Sequence, residues 1–400
     1  MAKTPASTIT QFEISDRVTQ QAAMRPYRRD PREPLVRPLR VFTLDPSVSD
    51  RLGGFATVNV PYEKLQSGPI GALFDVRCDR APSPLTTGPL DLDDPLLLLS
   101  SGLTPSPSNG QVHLQMVYAV CSLTYAAFKR ALGRDIAWAT APPASGPHRL
   151  VVRPFGFRGR NAGYSREGGD LSFGYFNAGA NPAGFTVQKG LICTSLSHDV
   201  IAHETTHALL DGLRESFLMP TNVDVAAFHE GFADLVALFL HFTYADVVER
   251  AIREAHVNST GLSLLTDLAR EFGYTRTRAV PGKETALRSG IDVAGIAAFD
   301  SDILPGAKGG PVCYDPELDP HLLGSVLVSA VFEAFMTVVR RKTDRYFRIA
   351  GIEPQSFGTA PLSEPLVKAL AGEASDVASQ FLSICIRAID YCPPADMELG

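Results

Sequence analysis

The chain has 400 residues, 45% of them hydrophobic and 20% charged, with a formal net charge of −6. It is long enough for one large or two medium cores, has the balance of an ordinary globular protein, and carries no basic excess that would point to nucleic acid. No apolar run reaches the length of a membrane span, and Met1 to Ser7 have no hydrophobic stretch behind Lys3, so neither a spanning helix nor a secretory leader is expected.

Taken from the N-terminus, six arginines (Arg25, Arg28, Arg29, Arg32, Arg37 and Arg40) alternate with Pro26, Pro31, Pro34 and Pro38. Proline at that density forbids a regular helix and favours extended chain. Residues 1–50 therefore read as a solvated arm laid over the surface; the bolder readings are an inhibitory, prosegment-like role or an anionic partner. From Leu39 the composition turns to strands, at Arg40–Leu44, Phe55–Val60 and Leu73–Val76. Residues 80–110, rich in proline, serine and glycine, form a long excursion. Asn109 and Gly110 precede a helical period from Val112 to Leu132 that Gly133 ends, and Arg149–Arg153 starts another strand.

The next stretch carries the chemistry. In residues 197–211 the run His203-Glu204-Thr205-Thr206-His207 sits between apolar Val200, Ile201, Ala208, Leu209 and Leu210, with Ser195 or Ser197 as N-cap and Asp199 in the first turn. Residues four apart share a helix face, so both imidazoles can reach one metal ion while Glu204 points to a water held by that ion. A catalytic zinc site needs a third protein ligand and one open position. The next helical pattern, Asp224–Thr243, offers Glu230 and Asp234, four apart on an otherwise apolar helix. Carboxylates in such a setting need a partner. Glu230 is read as the third ligand, and Asp234 as acceptor of the free N–H of a ligand imidazole. Asp211, four residues after His207, is a candidate to support that ring.

The His-Glu-x-x-His helix followed by a Glu-x-x-x-Asp helix resembles the thermolysin-type gluzincin metallopeptidases. The likeness includes Asn161-Ala162-Gly163-Tyr164 and Leu171-Ser172-Phe173-Gly174-Tyr175, similar to the family's edge strand and the strand after it, and Asp319-Pro320-His321, which opens an apolar helix. It covers about residues 150–240 and again 310–340. The resemblance implies an α+β, two-lobed protein: an N-terminal sheet and helix lobe (51–219), a mainly helical lobe (220–400), and zinc between them. It also implies that Asn161 and Ala162 touch a peptide substrate and that His321 stabilises the tetrahedral intermediate, with Asp315, Glu317 or Asp319 orienting it. The family's tyrosine between the two zinc helices is missing from residues 208–229; Tyr274, Tyr314 or another group would take its part. Arg276, Arg278 and Arg288 are candidates to hold a substrate carbonyl.

Beyond Thr243, helical composition continues at Asp246–Ala255, Leu262–Phe272, Leu322–Arg341 and Leu366–Tyr391, with a long glycine- and proline-rich connection at 273–320. His229 points about 100° away from Glu230 and reads as a packing or pocket residue. His198, five residues before His203, could face the cleft but reads first as a surface residue, and His113, His148, His241 and His256 read as structural or exposed ones. The six cysteines have neither metal-like nor framework spacing; with no leader, a cytoplasmic protein is favoured, with secretion by a signal-independent route as the alternative. The function expected is a zinc-dependent endopeptidase in which Glu204 is the general base. The alternatives are a catalytically silent or latent binding module of the same fold, and a structural zinc protein.

Overall fold

A computed structural model describes residues 26–43, 46, 54–80, 83–85, 87–143, 146–178, 190–258, 314–352 and 362–399. Strand β1 (Val36–Phe42) pairs antiparallel with β2 (Phe55–Pro61), from Val36↔Pro61 to Phe42↔Phe55. The two-residue period of β1 turns Leu39 and Val41 inward, and Arg37 with them. Arg37 is 1% exposed; its guanidinium donates to the carbonyls of Leu92 and Glu63 and to the Asp93 carboxylate. The solvated-arm reading is therefore corrected for residues 36–43. The prolines do keep the chain extended, but that chain is a paired strand, and its buried charge is satisfied by carbonyls and a carboxylate.

Within the 80–110 excursion, Asp94 accepts from the N–H groups of Leu96 and Leu97 and caps a short helix, α1 (Pro95–Leu99). Helix α2 (Gly110–Leu132) starts at Asn109, whose side chain accepts from Gln111 N–H, and stops at Gly133, which takes the left-handed φ of 69° that glycine adopts freely. It is buried on nearly every face. A mixed sheet of five strands follows the order β3 (Phe74–Val76), β4 (Leu150–Arg158), β6 (Asp170–Asn177), β5 (Ala162–Ser165), with β7 (Leu191–Cys193) also on β6. The β3–β4 and β4–β6 pairs are parallel; β5 and β7 run antiparallel to β6. The β4–β6 register shifts between Arg153 and Phe157, where Pro154 has no N–H to give the ladder.

Five helices complete a mixed α+β fold: α3 (His198–Leu213), α4 (Val223–Phe242), α5 (Ala245–Asn258), α6 (Pro320–Ile349) and α7 (Glu364–Ala388). One apolar core runs from Leu39, Val58 and Phe74 through α2 to Phe239, Phe335 and Val377. The Phe335 ring lies 5.2, 5.5 and 5.6 Å from those of Phe239, Phe242 and Phe381. By length and composition Leu323–Ile349 could cross a membrane, although no spanning run was expected. Its Val328, Phe332, Phe335 and Val339 are buried in this core. Helix α6 also runs eight residues beyond Arg341, where Tyr346 and Phe347 pack against the core and Lys342 and Arg345 pair with Glu373 of α7 at 3.0 and 2.7 Å. The expected helix at 262–272 and most of the connection after it lie outside the described residues.

His113 of α2 joins this core to the approach to α3: Nδ1 meets Ser195 Oγ at 2.9 Å and Nε2 meets the Pro107 carbonyl at 3.0 Å. Burial pushes its pKa down to about 4. The unfolded chain takes up a proton on this ring near pH ~6.5, so the stability tied to the neutral ring is complete above that pH. It is lost as pH falls toward 4, at up to about 1.4 kcal/mol per pH unit. Urea unfolding at pH 7 and pH 5 is expected to show a smaller acid loss for His113→Gln than for the parent; equal losses would contradict this assignment.

Candidate metal centre

Helices α3 and α4 run antiparallel, so residues along one meet residues along the other in reverse order. Asp199 faces His241, His203 faces Asp234, and His207 faces His229 and Glu230. His203 Nε2 and His207 Nε2 come within 2.9 Å, and Glu230 Oε2 lies 3.2 and 3.5 Å from them. Donors bound at about 2.0–2.1 Å around a tetrahedral ion sit about 3.3 Å from each other. Glu230 Oε2 is buried and makes no hydrogen bond, although a third imidazole nitrogen, His321 Nδ1, lies 3.0 Å away. Two imidazole nitrogens in mutual contact beside a carboxylate oxygen with no hydrogen bond of its own fit a shared central cation, and the three form a group able to hold a metal ion.

The surrounding groups fix how these donors face. His203 Nδ1 lies 2.8 Å from Asp234 Oδ1, so Nδ1–H donates to that carboxylate and Nε2 is the nitrogen left with a lone pair once the ring is neutral. Burial opposes a charge on His203, but Asp234, Glu230 and Glu204 outweigh it and raise its pKa to about 9. Burial likewise opposes ionisation of Glu230, yet His203, His207 and His321 hold its carboxyl far below the usual range. The pocket thus favours an ionised carboxylate beside a cation.

His207 is supported differently from the expectation. Its Nδ1 lies 2.6 Å from His229 Nδ1, and the two rings stack at 4.7 Å and 15°. Burial, then the neighbouring His207, holds the His229 ring well below the ordinary histidine range. Asp211 does not support His207, which corrects the sequence reading. Asp211 accepts from Tyr164 Oη at 2.7 Å and from Arg166 Nε at 2.9 Å, with a second contact from the same guanidinium. A charge-assisted fork of this kind outcompetes the imidazole one helical turn away. The result ties β5 to α3.

Glu204 is 1% exposed and follows His203 directly on α3. Ala162 opens β5, which ends the described strand order, and pairs with Phe173; the exposed Asn161 gives its carbonyl to Gly174 N–H at 2.8 Å. His321 reaches Glu230 because α4 and α6 cross at two glycines. A Cβ on Gly231 would stand 2.5 Å from the Gly324 carbonyl oxygen, and one on Gly324 2.6 Å from that of Ala227. Asp319 and Asp315 accept the backbone N–H groups of His321 and Glu317, each at 3.0 Å. Tyr314 donates to Asp224 at 3.0 Å, while Tyr274, Arg276, Arg278 and Arg288 lie outside the described residues.

The fold thus gathers His203, His207 and Glu230, with Asp234 and His321 beside them, and sets Asp211 against β5. His229 was the residue whose part spacing within α4 did not reveal. Comparison of the sequence with protein-family models and with curated proteins finds no match.

Proposed function

We propose that this chain is a zinc-dependent endopeptidase with the two-lobed architecture of the thermolysin-like gluzincins. The observation that carries the reading is the convergence of His203 Nε2, His207 Nε2 and Glu230 Oε2 within 2.9–3.5 Å, with Glu204 next in sequence on the same helix. Two imidazoles and one carboxylate are a donor set of catalytic zinc sites, which keep a further position open. A bound zinc ion would supply Lewis acidity, polarising a carbonyl oxygen and acidifying a water. With one anionic ligand, that site stays net positive.

The chain's own residues do the remaining work. Glu204 takes a proton from the attacking water and returns it to the leaving amine. Asp234, through His203 Nδ1, keeps Nε2 aimed at the ion. His321, half-exposed and steered by Glu230, turns its other nitrogen to the oxygen on which negative charge develops. A peptide adds as a strand along β5 near Asn161 and Ala162, and the Asp211 contacts to Tyr164 and Arg166 set the height of that strand over α3.

Two outcomes are expected when a diverse peptide library is digested and read by mass spectrometry. Glu204→Gln keeps its zinc and loses cleavage by about 10²–10⁴-fold, the range of general-base effects. Cleavage by that variant at the parent rate would sink the proposal. Asp211→Asn loosens β5 and raises KM several-fold with a smaller change in kcat, because the strand holds substrate and touches no reacting atom. A pure loss of kcat in this variant would place Asp211 elsewhere in the mechanism.

A further inference from the structure

A second group of donors lies at the other end of the same helix pair, and neither the proposed reaction nor the spacing within either helix accounts for it. His198 and Asp199 stand in the first turn of α3 and His241 in the last turn of α4. His198 was expected at the surface and His241 as structural or exposed; they are 1% and 3% exposed, and Asp199 is 8% exposed. Asp199 Oδ1 lies 3.6 Å from His198 Nδ1 and 3.4 Å from His241 Nδ1. Both separations exceed a good hydrogen bond, and His198 Nδ1 and Asp199 Oδ1 are buried with no hydrogen-bond partner. A buried carboxylate oxygen left in that state is costly.

We propose that His198 Nδ1, Asp199 Oδ1 and His241 Nδ1 bind a second divalent transition-metal ion, which clasps the start of α3 to the end of α4. Each of the three residues offers a ligand atom within 4.8 Å of the others, and the Oδ1–Nδ1 separations of 3.6 and 3.4 Å are close to the about 3.3 Å expected between ligands of a tetrahedral ion. The other nitrogen of His198, Nε2, is engaged by Tyr244 Oη at 3.0 Å, which fixes the ring and leaves Nδ1 to face Asp199. The His198 and His241 rings stand edge to face at 90°, so they approach Asp199 from different directions. Two nitrogens and one oxygen select zinc, cobalt(II) or nickel(II) over calcium and magnesium, which take oxygen donors. The helix ends add opposing effects: Asp199 suits the N-terminus of α3, and a cation suits the C-terminus of α4.

The clasp stands whether or not the His203 site hydrolyses peptides. Its test is a cobalt(II) titration of the chelator-stripped full chain, with bound metal counted by elemental analysis after desalting and visible absorption followed throughout. The expected result is two equivalents in the parent, one in His203→Ala and one in the double variant Asp199→Asn/His241→Gln. Cobalt should also still raise the melting temperature of His203→Ala. His203→Ala binding no cobalt, or the double variant binding as much as the parent, would overturn the proposal. Should the double variant fail to fold, the count in His203→Ala decides. A parent that binds one equivalent, retained by His203→Ala, would uphold the clasp and remove the metal from the proposed active centre.

Discussion

The antiparallel contact of α3 with α4 is the constraint on which the rest of the structure depends. Each helix carries charged or imidazole side chains on a buried face, and alone each would leave them without partners in an apolar setting. Pairing in opposite directions brings Asp199 to His241, His203 to Asp234, and His207 to Glu230 and His229. Most of these contacts put an imidazole against a carboxylate, and at two places a buried carboxylate oxygen, of Glu230 and of Asp199, is left without a hydrogen bond. A cation at each place would resolve both, and would couple metal binding to the packing of these two helices.

The remaining elements hold that pair in place. Core phenylalanines of α4, α6 and α7 fix the back of α4, and the Gly231–Gly324 crossing lets α6 approach closely enough for His321 to reach Glu230. On the other side, β6 carries β5, and Asp211 binds β5 to α3 through Tyr164 and Arg166. In the proposed reaction, a substrate strand laid on β5 would be positioned relative to His203 and His207 by one buried carboxylate. These supports lie on rigid helices and a paired strand, which suits a site whose donors must keep a fixed separation.

Much of this was legible in the sequence where the cause is local. Asn109 and Gly133 mark the ends of α2 because capping chemistry depends on neighbours a few residues away. The shared faces of His203 with His207, and of Glu230 with Asp234, follow from the helical period alone. What was not legible depends on register between elements. His229 and Asp211 found their partners through the stagger of α4 and β5 against α3, and no spacing inside one helix encodes that stagger. His198 and His241 are 43 positions apart and meet only because the two helices reverse direction. Arg37 was hidden by its own surroundings: a proline-rich run reads as solvated chain, although the strand period turns that guanidinium inward. The end of α6 was missed because only Tyr346 and Phe347 continue the apolar face past Arg341, and the pairing of Lys342 and Arg345 with Glu373 of α7 depends on a separate helix.

The central claim, that α3 and α4 together build a metal centre from His203, His207 and Glu230, is tested most directly by anomalous diffraction at the zinc edge from crystals of the zinc-loaded chain. The account predicts a strong peak about 2.0–2.2 Å from His203 Nε2, His207 Nε2 and a Glu230 carboxylate oxygen. A zinc-loaded crystal in which those three side chains surround no anomalous scatterer would contradict it.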